Sequence, residues 1–188
     1  MPLLNAQVHL TLPAWVHEQV DPTAIYASEA EQMGLAIRLA ETNVAQGSGG
    51  PFGAAIFNAE GRLVSIGVNR VVPQSCSVAH AEMMAFMTAQ QRLQRFRLNE
   101  DGRRFTLATS AQPCCQCYGA SFWAGIDRML IGASAADVHE LTEFDEGPLP
   151  ADWVGELEKR GIEVRQGLLR EEARAVLAAY ASGGGRNY

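Results

Sequence analysis

The segment PCCQC, Pro113 to Cys117, sets three of the chain's four cysteines into four consecutive positions. No other feature restricts the possible folds as much. Thiols spaced i and i+3 face the same way from the first turn of a helix, whereas the next residue along points about 100° round the axis. Cys114 and Cys117 therefore pair, and Cys115 reads as a small buried apolar bystander. Pro113 suits the start of that helix, and a helix N-terminus favours the thiolate form. Two thiolates and an imidazole make a tetrahedral zinc set with one position left for water. The segment His80-Ala81-Glu82 supplies the imidazole together with a carboxylate that does not ligate. Cys114 follows His80 by 34 positions, which is room for one helix, one strand and a single crossover.

The surrounding pattern agrees with that spacing. Residues 1–27 have no clear period and contain Pro13 and Pro22; they read as an arm packed on the domain, with a short helix near Trp15–Val20. Ser28 and Glu31 form a candidate capping box, and Met33, Ile37, Ala40 and Val44 follow at helical spacing until GSGGP stops the helix. FGAAIFNAEGRLVSIGVNRVV reads as two strands around an NAEG turn. AHAEMMAFMTAQQRL is a helix, with Met83, Met84 and Met87 as core. RFTLATS is a buried strand, the cysteine segment a helix and RMLIGA a strand. A short helix over AADVHELTEF, a helix over DWVGELEKRG, a strand over IEVRQGL and an amphipathic helix over REEARAVLAAYA complete the order. Alternating strands and helices imply a parallel or mixed sheet between helices. Absence of repeats and linkers points to one domain over 1–188, with a core at 28–180 and a flexible tail at 181–188.

Charge and composition limit the partners. Fifteen Lys and Arg stand against 21 Asp and Glu, a net charge of −6, which repels a phosphate backbone and disfavours a nucleic-acid polymer. The arginines of RLQRFRLNEDGRR (Arg92, Arg95, Arg97, Arg103, Arg104) are interrupted by Glu100 and Asp101 and read as a solvated helix end and loop. No apolar run approaches the roughly 20 residues of a membrane helix, and the start lacks a basic segment followed by an apolar core. A cytoplasmic location is expected, where clustered thiols stay reduced and bind metal or act in catalysis. Cys76 reads as a loop or core thiol. His9, His17 and His139 have no motif around them and read as structural or surface residues.

The combination of H-A-E, helix, strand and P-C-x-x-C resembles the signature of zinc-dependent nucleobase deaminases. Over about Met33 to Gly132 the chain is identified as a member of the cytidine/deoxycytidylate deaminase superfamily, with most likeness to its bacterial guanine deaminase branch. That resemblance implies a three-layer α/β/α sandwich around a mixed five-stranded sheet, a homodimer, and Zn2+ on His80, Cys114 and Cys117. It also implies that Glu82 takes a proton from water, passes it to a ring nitrogen and then protonates the departing amine.

Further segments bear on the substrate. GPFGAAIF and GVNRVV resemble the base-binding hairpin of the guanine and tRNA adenosine deaminases. The likeness gives Asn69 the role of hydrogen-bonding the base, an amide being both donor and acceptor, with Phe52 and Ala81 in the same pocket. FDEGP resembles an acidic element of bacterial guanine deaminases and makes Glu146 a second carboxylate facing the substrate. Guanine presents a ring N–H and an amine side by side, both donors, whereas cytosine and adenine present an unprotonated nitrogen there. Tyr188, the last residue, is a candidate to close the pocket, and Phe52, with Phe122 or Trp123 on the cysteine helix, is a candidate to stack on the base. Gln112 stands where many relatives have glutamate. The resulting expectation is a zinc aminohydrolase of guanine or a related aminated heterocycle; cytosine or cytidine deamination is the alternative, and tRNA adenosine deamination a weaker one.

Overall fold

The computed structural model describes residues 7–186 and 188. The first six residues of the expected arm and Asn187 of the tail lie outside them. In the described part of the arm a short α1 (Val16–Gln19) follows Trp15, which packs on the domain core. The Ser28 hydroxyl accepts the Glu31 amide and the Glu31 carboxylate accepts the Ser28 amide at 2.8 Å. This reciprocal cap starts α2 (Glu29–Ala45), whose buried face runs through Met33, Ala36, Ile37 and Ala40.

Next come the hairpin β1 (Gly53–Asn58) and β2 (Leu63–Val68), joined in antiparallel register from Gly53↔Val68 to Phe57↔Leu63. The second strand is shorter than its sequence suggests. The Asn69 side chain accepts the Val71 amide at 3.2 Å and turns the chain into α3 (Val71–Gln74), where Pro73 has no N–H to give a ladder. Then follow α4 (Ala81–Leu93), β3 (Phe105–Ala111), α5 (Cys115–Ala124), β4 (Arg128–Ala133), α6 (Ala135–Leu141), α7 (Trp153–Glu158), β5 (Glu163–Arg165) and α8 (Arg170–Ser182). IEVRQGL keeps only three residues in a strand, at the sheet edge.

The sheet order is β2-β1-β3-β4-β5, with β1 antiparallel to both its neighbours and the last three strands parallel. One apolar core, with Met33, Ala40, Phe57, Leu130 and Leu177, lies under α2, α6 and α8. A second, with Ile56, Phe86, Leu107, Met129 and Leu157, lies under α4, α5 and α7. This is the expected α/β/α sandwich on a mixed five-stranded sheet. Among the described residues, no helix is long and apolar enough to cross a membrane. Of the methionines assigned to the core, Met84 is fully buried whereas Met87 lies on the outer face of α4.

Two packing constraints position the site. A Cβ on Gly67 would stand 1.9 Å from the Ala81 carbonyl oxygen, so only glycine lets β2 meet the first turn of α4 this closely. On the opposite face, the buried carboxylate of Asp137 closes the cap of α6 with Ser134 and accepts Arg170 Nε and Nη2 at 2.8 and 2.6 Å, together with Arg174. These bonds tie α6, which leads into the FDEGP loop, to α8, which leads into the tail. The Arg170 guanidinium holds the Asp137 carboxyl well below its ordinary value of 3.8. A carboxyl lowered on folding stabilises the protein above the unfolded-state value and loses that contribution as pH falls below it. Asp137→Asn should therefore cost about 2–3 kcal/mol at neutral pH, and in thermal melts the Tm gap to the wild type should narrow as pH drops below about 4.

Candidate active site

Both halves of the expected metal set sit at helix starts. His80 is the N-cap of α4 and Cys114 the N-cap of α5, so Pro113 lies one residue before the cap instead of opening the helix. His80 Nδ1 is 3.4 Å from Cys114 Sγ and 3.7 Å from Cys117 Sγ, and all three ligand atoms lie within 4.8 Å of one another. A hydrogen bond from the Cys117 thiol and the nearby His80 bring Cys114 down to about 4. The same bond and burial push Cys117 well up. Two sulfurs and an imidazole nitrogen thus converge on one point, which is the place and donor set that suit a zinc ion.

Glu82 is two residues into α4, buried against the sheet, with Thr109 Oγ1 3.3 Å from its Oε1. Burial, then the Cys114 charge, raises its carboxyl. Thr109, from the middle of β3, was not singled out from sequence, since a threonine in a strand looks like strand propensity alone. Its hydroxyl also lies 3.0 Å from the Ala111 carbonyl.

Glu146 comes from the FDEGP loop and is only 9 % exposed. Burial, with Cys114 and Glu82 adding, lifts its carboxyl to about 8. The loop docks on the cysteine helix through its backbone: the Cys115 N–H donates to the Glu146 carbonyl at 2.8 Å. Cys115 is exposed, which corrects its reading as a buried apolar residue; it lies on the solvent side of α5 and outside the ligand set. Cys76 is half-buried in the loop before His80.

Asn69 is 1 % exposed at the end of β2. It lines one cavity together with Phe52, His80, Ala81, Glu82 and Cys114. Glu146, Tyr188, Gln112, Phe144, Asp145 and Ser77 complete its walls. Eight of the eleven residues singled out for the site thus share the cavity; Cys117 is buried next to it, and Phe122 and Trp123 lie outside it. Phe144 went unassigned although it opens the FDEGP element; its ring meets Phe52 edge-on at 5.1 Å and Tyr188 at 4.9 Å. The Gln112 side chain accepts the Ala135 amide at 3.1 Å, so it braces the approach to the cysteines against α6. Past α8 the described tail folds back: the Gly185 amide donates to Tyr180 O at 3.0 Å and the Tyr180 hydroxyl to Arg186 O at 2.7 Å. Tyr188 reaches the Asn69 side chain, and burial raises its phenol.

Phe122 and Trp123 do not stack in the cavity. Trp123 is 72 % exposed on the far side of α5, and Phe122 packs against Tyr118 under Arg160. The arginine-rich segment is only partly solvated: Arg95 and Arg103 pair with Asp101, while Arg92 donates to the Val64 carbonyl and Arg97 to the Phe122 carbonyl.

A sandwich that brings His-Cys-Cys and a buried glutamate together at two helix starts defines a zinc-dependent aminohydrolase. The family model of the cytidine and deoxycytidylate deaminase zinc-binding region matches residues 27–133, and the chain belongs to that family. It is similar to the guanine deaminase of Bacillus subtilis, 33% identical over 136 residues that cover 72% of this chain and 83% of that protein. A solved structure of guanine deaminase from Nitrosomonas europaea is 40% identical, with a TM-score of 0.90 over 96% of this chain and 100% of its own. The structure of NE0047 in complex with 2,6-diaminopurine is 41% identical, with a TM-score of 0.92 and 98% of each chain covered.

The metal set makes a prediction about thiols. Purified protein should carry about one zinc ion per chain by elemental analysis. Cys117→Ser should lose most of it and Cys115→Ser none, a result that reverses if Cys115 is a ligand.

Proposed function

We propose that the protein hydrolyses guanine to xanthine and ammonia. The observation that carries this reading is the second buried carboxylate, Glu146, on the wall of the cavity that also holds Glu82 and Asn69. An ionised carboxylate is an acceptor only, and a divalent cation on the nearby His80, Cys114 and Cys117 would offset the repulsion from Cys114 and Glu82 that raises Glu146. Ionised Glu146 suits the ring N–H and amine of guanine and repels the unprotonated ring nitrogen of cytosine or adenine. Guanine deaminases among the relatives, and a bound 2,6-diaminopurine in one solved structure, support the same substrate class.

His80, Cys114 and Cys117 would hold a zinc ion, which would supply the Lewis acidity that makes water a nucleophile near neutral pH. The chain does the rest. Glu82, held beside Thr109, accepts one proton from the attacking water and delivers it to the adjacent ring nitrogen. It then takes the second proton from the hydroxyl added to the ring carbon and passes it to the amine, so that the C–N bond breaks as C=O forms and guanine and water become xanthine and ammonia. Glu146 accepts from the ring N–H and the amine and fixes which carbon faces the nucleophile. Asn69 hydrogen-bonds the purine edge, Ala81 borders the base, and Phe52 with Phe144 flanks its plane. Tyr188 shuts the cavity and keeps bulk water from the reacting carbon. Residues 1–188 act as one deaminase domain with its core at 28–180, and by family resemblance the domain pairs as a homodimer; exposed Trp123 and Phe96 suit burial between subunits.

The test is ammonia release from guanine, guanosine, cytosine, cytidine, adenine and ammeline. Guanine should be turned over best. Glu82→Gln should lose about 10²–10⁴-fold in kcat, the usual contribution of a positioned acid–base group. Glu146→Gln should lower kcat/KM for guanine by about a hundredfold or more, because a donor would then face donors. Cytosine turnover with guanine untouched would show that Glu146 is misassigned, and wild-type turnover in Glu82→Gln would remove the proton-transfer mechanism.

A further inference from the structure

Behind the base pocket lies a polar cluster, built on Asn43, Ser48, Trp15 and Arg70, none of which lines the cavity or belongs to the metal set. Asn43, in the last turns of α2, is completely buried. Both hydrogens of its amide are used: Nδ2 donates to the Gly50 carbonyl at 2.9 Å and to the Asn69 carbonyl at 3.0 Å. Its Oδ1 accepts the Ser48 hydroxyl at 2.7 Å, and Ser48 Oγ accepts the Trp15 indole N–H at 3.0 Å. The Arg70 guanidinium donates to Ser48 O and to Thr11 O, so the arm and the segment after α2 are gripped from both sides.

This cluster sets a distance. A Cβ on Gly49 would fall 1.8 Å from the Asn69 carbonyl oxygen and 2.7 Å from Asn43 Nδ2. The backbone of 48–50 is therefore pressed against residue 69, an approach that only glycine permits. A Cβ on Gly50 would lie 3.3 Å from Asn69 Oδ1, so the same approach places the Asn69 amide. The GSGG stretch stops α2, and it also forms the backing of one pocket wall. An amide can bind two carbonyls and a hydroxyl at once because it carries two donors and an acceptor on one rigid plane. No serine, alanine or aspartate has that capacity.

We propose that Asn43 is a positioning residue for substrate: by clamping Gly50 to Asn69 it fixes the direction of the Asn69 amide and hence the orientation of the bound base. Ser48 and the arm residue Trp15 complete the clamp. The proposal rests on the reading of Asn69 as the base-binding amide. It assigns part of substrate recognition to α2 and the arm, neither of which contributes to the metal site.

Steady-state kinetics on guanine with the zinc-loaded protein test it, using Asn43→Ser, Ser48→Ala, Asn69→Ala and both double variants. Asn43→Ser should raise KM about tenfold with a smaller fall in kcat, as expected when a reacting group is misplaced and the chemistry is intact, and its zinc content should match the wild type. Ser48→Ala should shift KM the same way by less. In the Asn69→Ala background either change should add less than about twofold, because acting through a shared partner makes effects non-additive. An equal penalty in both backgrounds, or an unchanged KM in Asn43→Ser, would overturn the proposal. If Asn43→Ser does not fold, the pair Ser48→Ala and Asn69→Ala decides by the same criterion. Wild-type kinetics in Asn69→Ala would instead sink the role given to Asn69. Impaired Asn69→Ala with additive partners would sink the clamp alone.

Discussion

The site depends on two helices beginning at one place. The N-caps of α4 and α5 are His80 and Cys114, and the free N–H groups and dipoles of both helices converge on the same few ångströms. That field favours negative charge there and so opposes, without overcoming, the burial that raises Glu82 and Cys117. The convergence is set by backbone packing: Gly67 admits the first turn of α4 against β2, while β3 delivers Cys114 next to it one crossover later. Move either helix by one residue and the sulfurs and the imidazole no longer meet.

That geometry gathers a large excess of acceptor groups. Two sulfurs and the carboxyls of Glu82 and Glu146 share a buried region whose one potentially cationic neighbour, among the described residues lining the cavity, is His80. Burial and mutual repulsion raise both carboxyls, and a divalent cation on the three ligands relieves that repulsion. Metal and substrate recognition are thus coupled electrostatically. Glu146, the group proposed to choose the base, hangs from the cysteine helix by its backbone carbonyl, which accepts the Cys115 N–H.

The sequence made the local pattern legible wherever the spacing itself carries the physics. The i,i+3 thiols, the H-A-E beside them and the capping box at Ser28 describe short-range geometry, and the structure holds them as read. β4 and α5 follow equally from local patterning. Features fixed by distant packing were not legible. Thr109 meets Glu82 only because β3 runs under α4. Asn43 carries no local signal, because its complete burial depends on contacts with Gly50, Ser48 and the end of β2. Cys115 was misjudged because its type suggests burial, while its exposure depends on which side of α5 faces solvent. The extra turn at α3 depends on the Asn69 side chain taking a backbone amide, which strand propensity does not reveal.

The central claim is that Glu146 reads the paired donors of guanine while Glu82 serves the ring nitrogen on the other side of the reacting carbon. The most direct measurement is a crystal structure of the zinc-loaded protein with an unreactive guanine analogue. The account predicts the Glu146 carboxylate within hydrogen-bonding distance of both the ring N–H and the exocyclic amine, with Glu82 at the opposite ring nitrogen and Asn69 on the purine edge. A base bound with its donor pair turned away from Glu146 would contradict it.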